Sequence, residues 1–252
     1  MSRAKLVAAN WKMQKSIAGA RSFSERLVAG AADDVACEIV LFPPFFALPF
    51  AAEKLKGTSI AVGAQDLFWE KEGAYTGEIS AGMIVEAGGT FVIVGHSERR
   101  HVIGETNEVI AKKLKAAIEA GLTPVFCVGE KISHREAGEA EQFVGEQLES
   151  ALSQLSASDL ERIIIAYEPV WAIGTGKTAT PEDAVEMHRF IRGCLSSRFG
   201  SDLSERTRIL YGGSVKPENA ADLLREKEID GALVGGASLD VDSFIEIASA
   251  AP

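Results

Sequence analysis

Short, continuously apolar runs recur along the chain, and each is followed by a segment with apolar residues every three or four positions. A short run without polar alternation is typical of a strand buried on both faces, as in parallel sheets. Apolar spacing of three and four indicates an amphipathic helix. The predicted strands are residues 6–9, 39–42, 60–62, 91–94, 124–128, 162–167, 208–211 and 231–234.

Capping residues mark where the predicted helices begin and end. Ser16 precedes the first helical pattern, and Pro181 follows Thr180 at the first helical position of another. A helix from about Thr106 ends at Gly121, and its lysine-rich face is expected to be exposed. The other predicted helices end before Gly57, cover residues 81–87 and 144–155, and start at Pro217 and near Ser238 or Asp240.

Eight predicted strands alternate with eight helices, and no Gly/Ser-rich or Pro-rich linker divides the 252 residues. This pattern predicts a single domain over residues 1–252, an α/β fold with a closed eight-stranded parallel β/α barrel. An open doubly wound sheet is the competing arrangement. No GxGxxG motif follows the first strand, and eight regular units close more readily than they fan out, so the barrel is favoured.

The amino-acid composition limits the binding partners and the cellular compartment to be expected for this chain. The 26 basic against 36 acidic residues give a net charge of -10, which argues against binding nucleic acid or anionic membranes through bulk charge. Cys37, Cys127 and Cys194 are far apart and form no CxxC pair, so neither a disulfide framework nor a zinc site is indicated. The apolar run at 6–9 is too short for a signal peptide, and no run reaches membrane-spanning length. We expect a soluble, cytoplasmic protein.

Residues whose side chains could take part in catalysis directly follow several predicted strands. In a parallel barrel the carboxyl ends of all strands meet at one rim, where active sites are built. Taken alone, the lysine reads as a solvated surface residue and the histidine as a structural one. Together, a cation, an imidazole and a carboxylate suit proton abstraction beside a carbonyl group. These strand-end residues are Asn10, Lys12, His96, Ser97, Glu98 and Glu168.

Two glycine pairs follow the last two strands: Gly212-Gly213, before Ser214, and Gly235-Gly236. They could be simple turns. Glycine also lets backbone N–H groups approach a ligand closely, and in barrels the loops after strands seven and eight commonly bind phosphate. We favour a phosphate site, with Lys12 supplying charge. The long loop 169–179 after Glu168 has hinge-like Pro and Gly residues and is interpreted as a closing flap.

Five segments of the chain resemble the triosephosphate isomerase family, and the similarity runs from end to end. They are NWKM (10–13), GHSERR (95–100), AYEPVWAIGTG (166–176), YGGSV (211–215) and LVGGASL (233–239). The resemblance implies a TIM barrel that interconverts D-glyceraldehyde 3-phosphate and dihydroxyacetone phosphate through an enediol(ate), in glycolysis and gluconeogenesis. It also implies that the reaction needs no cofactor and no metal.

The resemblance further implies a role for each residue at the rim. Glu168 would move the proton between carbons, and neutral His96 would polarise the carbonyl. Lys12 and Asn10 would stabilise the developing negative charge, and Glu98 corresponds to an auxiliary acid near the lysine. The residues implied to bind substrate are Asn10, Lys12, Ile173, Gly174, Ser214, Leu233, Gly235 and Gly236.

A long irregular insertion, residues 63–80, separates the third strand from its helix. Its aromatic residues would form a costly exposed patch in a monomer, and a second subunit would bury them. It resembles the interdigitating loop of a homodimer, with Thr76 reaching toward the neighbouring site. The predicted dimer-loop residues are Gln65, Trp69, Tyr75 and Thr76. Gln14 and Ile103 depart from the pattern of many relatives and lie outside the predicted chemistry.

Two other functions stay open at this stage. A Schiff-base aldolase on a barrel would use Lys12 as its nucleophile, although such lysines need a desolvated site. A non-catalytic phosphosugar-binding scaffold would bind ligand without turning it over. The complete set of Lys12, His96 and Glu168 counts against the scaffold.

Overall fold

Eight parallel strands close into a barrel in the computed structural model, which describes residues 3–30, 35–173 and 179–252. Each strand pairs with its neighbours in sequence, and the first pairs with the last through Leu6 opposite Gly231. The predicted closed β/α barrel is therefore confirmed. The strands are β1 (Leu6–Asn10), β2 (Glu38–Phe42), β3 (Ala61–Ala64), β4 (Phe91–Val94), β5 (Thr123–Val128), β6 (Ile164–Tyr167), β7 (Ile209–Tyr211) and β8 (Gly231–Val234).

Helices surround the strands, and the predicted caps close two of them. Ser16 Oγ accepts the Gly19 N–H at 3.1 Å, and Thr180 Oγ1 accepts the Asp183 N–H at 3.2 Å. The short helices α5, α7 and α9 were not predicted. Within the described ranges the helices are α1 (Ile17–Gly30), α2 (Leu48–Leu55), α3 (Ala81–Glu86), α4 (Asn107–Glu119), α5 (Ile132–Glu136), α6 (Ala140–Leu152), α7 (Ala157–Leu160), α8 (Pro181–Phe199), α9 (Ser201–Arg206), α10 (Pro217–Leu224) and α11 (Val241–Ser249).

The strands are continuously apolar because both of their faces are buried. Successive side chains of β1 point alternately inward, as Leu6 and Ala8 do, and outward, as Val7 and Ala9 do. The inward residues fill the barrel, and the outward ones pack under the helices. The barrel interior contains Leu6, Ala8, Val40, Phe42, Phe91, Ile93, Val125, Cys127, Ile164, Ala166, Leu210 and Leu233.

The predicted exposure of the lysine-rich face of α4 is wrong for one lysine. Lys113 is buried, and its Nζ lies 2.7 Å from Asp66 Oδ1, in the loop after β3, and also pairs with Glu105. Arg99 contacts the same two carboxylates. Periodicity within one helix could not reveal these acidic partners from other segments. No helix in the described ranges is long and apolar enough to span a membrane.

Candidate active site

A cavity of about 550 Å³ opens at the carboxyl ends of the strands. It brings together eleven of the residues predicted for the site, which lie at or after the carboxyl ends of β1, β4, β6, β7 and β8. Glu98 lies beside it, paired with Lys12, and the predicted substrate contact Gly174 lies outside the described residues. The predicted residues that line the cavity are Asn10, Lys12, His96, Glu168, Ile173, Gly212, Gly213, Ser214, Leu233, Gly235 and Gly236.

Glu168 follows β6 directly, and its side chain is almost fully buried at 2% exposure. The Ser97 N–H donates to Glu168 Oε2 and the Ser97 hydroxyl donates to Oε1, both at 2.9 Å. His96 Nε2 lies 3.0 Å from the same Oε1. The carboxylate thus keeps contact with the cavity while two neutral donors and an imidazole hold it in place.

Backbone geometry fixes the tautomer of His96. The Glu98 N–H donates to His96 Nδ1 at 3.2 Å, so Nδ1 acts as an acceptor and carries no proton in this arrangement. The ring proton then resides on Nε2, which faces Glu168 and the cavity. His96 can therefore offer a hydrogen-bond donor to a ligand oxygen without bearing a positive charge.

Lys12 adopts a left-handed backbone conformation with φ of +53°, which is uncommon for a residue other than glycine. Two side chains support this strained geometry. Asn10 Oδ1 accepts the Lys12 N–H at 3.0 Å, and Gln65 Nε2 donates to the Lys12 carbonyl at 2.8 Å. The ammonium group lies 2.6 Å from Glu98 Oε1. Strain of this kind persists only where the surroundings enforce it, and it is frequent at functional sites.

Two glycines allow the neighbouring strand ends to pack tightly against Glu168. A Cβ atom at Gly129 would lie 1.7 Å from the Glu168 carbonyl oxygen, and one at Gly212 would lie 2.9 Å from Glu168 Cγ. Any side chain at Gly129 would displace the backbone of the carboxylate. The position of Glu168 therefore depends on glycines in the loops after β5 and β7.

The segments after β7 and β8 also line the cavity. Gly235 approaches Lys12 closely, since a Cβ atom there would lie 3.4 Å from Lys12 Cε. Gly236 begins a short 3₁₀ turn, Gly236–Leu239, next to the cavity. Lys216, which the sequence reasoning did not single out, also lines it. Neutral backbone groups and two lysines thus face one ligand volume in a chain of net charge -10.

Sequence reasoning missed the parts played by Ser97 and Gln65. Ser97 was grouped with the strand-end residues, but nothing in the pattern indicated that it would hold Glu168. Gln65 was assigned only to the dimer loop, whereas its amide braces the carbonyls of Lys12 and Phe42. Among the described residues, no group of three or more His, Cys, Asp and Glu side chains is placed to hold a metal ion.

Comparisons with known proteins identify the family of this chain. A family model described as "Triosephosphate isomerase" matches residues 5–251. A triosephosphate isomerase from Dictyoglomus thermophilum is 50% identical over 245 residues, which cover 97% of this chain and 98% of that protein. One from Roseiflexus sp. (strain RS-1) is 51% identical over 245 residues, 97% of this chain and 96% of that protein. The chain is an isomerase that belongs to the triosephosphate isomerase family.

Proposed function

We propose that Glu168 is the base with which this isomerase moves a proton between the two carbons of a triose phosphate. The reaction interconverts D-glyceraldehyde 3-phosphate and dihydroxyacetone phosphate, a step of glycolysis and gluconeogenesis. One observation carries the proposal: the buried Glu168 carboxylate and His96 Nε2 lie 3.0 Å apart, on a cavity that Lys12 also lines. Such a group can take a proton beside a carbonyl while a neighbour stabilises the resulting oxyanion.

His96 and Lys12 stabilise the enediolate in this proposal. The Nε2–H of His96 donates to the carbonyl oxygen as it gains charge, and the Lys12 ammonium group adds a positive charge nearby. Asn10 serves mainly by holding the backbone of Lys12. Glu98 holds the Lys12 ammonium group in place through their contact at 2.6 Å, which is our proposed role for this acid.

The phosphate group binds, in this proposal, to the N–H groups of Ser214, Gly235 and Gly236. Ile173 and Leu233 line the same cavity and cover the carboxylate side with apolar surface. The flap formed by residues 169–179 would close over the ligand, with the Gly174 N–H as a further donor. Closure would exclude water from the enediolate and so prevent loss of phosphate.

The aldolase alternative is disfavoured by the surroundings of Lys12. A Schiff-base lysine must reach its neutral amine form, usually through desolvation or a nearby cation. The Lys12 side chain is 27% exposed and contacts the Glu98 carboxylate, so it is not desolvated. Borohydride treatment with substrate present should leave Lys12 unmodified, and covalent trapping there would support the aldolase.

Exposed apolar residues in the segments after β1, β3 and β4 support a homodimer. The side chains of Met13, Val102 and Ile103 are 96%, 78% and 64% exposed, and Tyr75 in the 63–80 loop is 44% exposed. Grouped exposed apolar side chains often mark an interface. We propose that the loop, with Trp69 and Thr76, docks against a second copy. Sedimentation should give twice the chain mass, and a monomer at micromolar concentration would contradict the dimer.

A coupled assay of D-glyceraldehyde 3-phosphate isomerisation on the purified protein tests the proposal. We expect rapid turnover in metal-free buffer, unaffected by chelators, because only side chains and backbone groups take part. Tight binding of substrate without turnover would favour the phosphosugar-binding scaffold. We also propose a cytoplasmic location, which fractionation of the source cells would test.

A further inference from the structure

Asn219 links the loop after β7 to the helix that follows it. Its Oδ1 accepts the Lys216 N–H at 2.8 Å, and its Nδ2 donates to the Ser214 carbonyl at 3.1 Å. Asn219 is the third residue of α10, and Lys216 is the residue that caps this helix. One amide therefore joins both ends of the segment Ser214 to Lys216, which lines the cavity.

We propose that Asn219 is a positioning residue for the phosphate-binding end of the site. The hydrogen bond to the Ser214 carbonyl anchors the peptide plane that follows Ser214 and so limits how far the backbone at Ser214, including its N–H group, can move. The inference rests on the proposed function, in which that N–H binds phosphate. A preorganised donor binds an anion more tightly because no conformational freedom is lost on binding.

The two hydrogen bonds of Asn219 have separable effects. The bond to the Lys216 N–H satisfies a helix terminus and contributes to stability, as helix caps do generally. The bond to the Ser214 carbonyl needs an N–H donor, which an aspartate lacks. Asn219→Asp therefore keeps the cap and loses the brace on Ser214, whereas Asn219→Ala loses both.

The helix α7 provides a matched control for the loss of a helix cap alone. Asp159 is the third residue of α7, and its Oδ2 accepts the N–H of the capping residue Ser156 at 2.9 Å. This helix precedes β6 and lies at the other end of the barrel from the cavity. Asp159→Ala should lower the denaturant midpoint about as much as Asn219→Ala, without affecting the site.

The test measures kcat, KM and the Kd of inorganic phosphate for the unaltered chain and the three variants. For Asn219→Ala we expect KM and the phosphate Kd to rise about tenfold, the effect of one lost hydrogen bond, with kcat changed less than about threefold. Asn219→Asp should raise both values while keeping the denaturant midpoint. The increase should persist at high salt, where repulsion by an added charge is screened. Asp159→Ala should leave KM unchanged.

Unchanged KM and phosphate Kd in Asn219→Ala, in a chain whose unaltered form turns over and binds phosphate, would overturn this inference alone. The same holds if the effect of Asn219→Asp disappears at high salt and Asn219→Ala has none. An unaltered chain that neither turns over substrate nor binds phosphate would overturn both this inference and the proposed function.

Discussion

Two buried carboxylates at opposite ends of the barrel have different surroundings. Asp230, just before β8, pairs with Arg3 at 2.6 Å and Arg192 at 2.9 Å and accepts a hydrogen bond from the Ile209 N–H at 2.8 Å. Glu168, at the carboxyl ends of the strands, accepts hydrogen bonds from Ser97 and lies beside His96, and its side chain lines the cavity. Two guanidinium groups enclose the first carboxylate, whereas the second lines a cavity that a ligand can enter.

The two carboxylates show that one fold can place residues for stability and residues for catalysis at different ends of the barrel. A carboxylate between two arginines serves the fold, because loss of its charge would leave two nearly buried guanidinium groups without a counter-charge. A carboxylate that lines a cavity beside an imidazole can be reached by a proton on a bound ligand. We therefore expect substitutions of Glu168 to affect catalysis with little effect on stability, and substitutions of Asp230 to do the opposite.

Glu168→Asp should have the largest effect on the reaction. The change withdraws the carboxylate by one methylene group, and kcat should fall about 10²- to 10³-fold because the base no longer reaches the carbon. The Kd of inorganic phosphate should stay within about twofold, since the phosphate end is untouched. Steady-state kinetics and calorimetry measure these values, and unchanged turnover would refute the assignment of the base.

Asp230→Asn should have the largest effect on stability. The change leaves Arg3 and Arg192 without a full counter-charge, and the free energy of unfolding should fall by about 3–5 kcal/mol. The folded fraction should keep its kcat, because the residue lies far from the cavity. Denaturant unfolding measures the loss. Asp242→Asn breaks only the exposed pair with Arg26 and is the control, with an expected loss below about 1 kcal/mol.

Low pH should lower the free energy of unfolding through His188, which lies at the same end of the barrel as Asp230. Complete burial lowers its pKa from 6.5 to about 4, and its Nδ1 lies 3.0 Å from the Glu228 carbonyl. The unfolded chain binds a proton here more readily, so stability is fully present above pH 6.5 and is lost as the pH falls toward 4. The contribution is about 3 kcal/mol. His188→Gln should remove this part of the pH dependence of unfolding, and an unchanged slope would show that His188 is not its source.

Ser97→Ala should have the smallest effect of these variants, and it should alter both catalysis and stability. It removes the hydroxyl donor to Glu168 Oε1 but keeps the backbone N–H donor to Oε2. The free energy of unfolding should fall by about 1 kcal/mol, and kcat should fall about tenfold as the carboxylate becomes less well placed. A large loss of stability with normal kcat would mean that Ser97 serves the fold and not the site.

Much of the fold could be predicted from the sequence because parallel strands buried on both faces have a distinctive apolar pattern. Strand boundaries differed slightly, and β6 begins at Ile164 rather than at residue 162. The burial of Lys113 could not be predicted, since its acidic partners Asp66 and Glu105 come from other segments. Local periodicity carries no information about contacts that only the closed barrel creates.

The residues of the candidate site could be predicted from the sequence, but the residues that hold them in place could not. Residues directly after strands must share one rim, which is why Lys12, His96 and Glu168 could be grouped in advance. The amides of Gln65 and Asn219 hold backbone carbonyls instead of facing a ligand. Amide side chains are common on surfaces, so nothing in their spacing marks such a role.

The most direct measurement follows hydrogen at the reacting carbons during turnover in deuterated water, by NMR of substrate and product. A carboxylate base exchanges its proton with solvent, so the unaltered chain should place deuterium on carbon. In Glu168→Gln, deuterium incorporation and isomerisation should fall together by a similar factor. Undiminished isomerisation with full deuterium incorporation by Glu168→Gln would contradict Glu168 as the base.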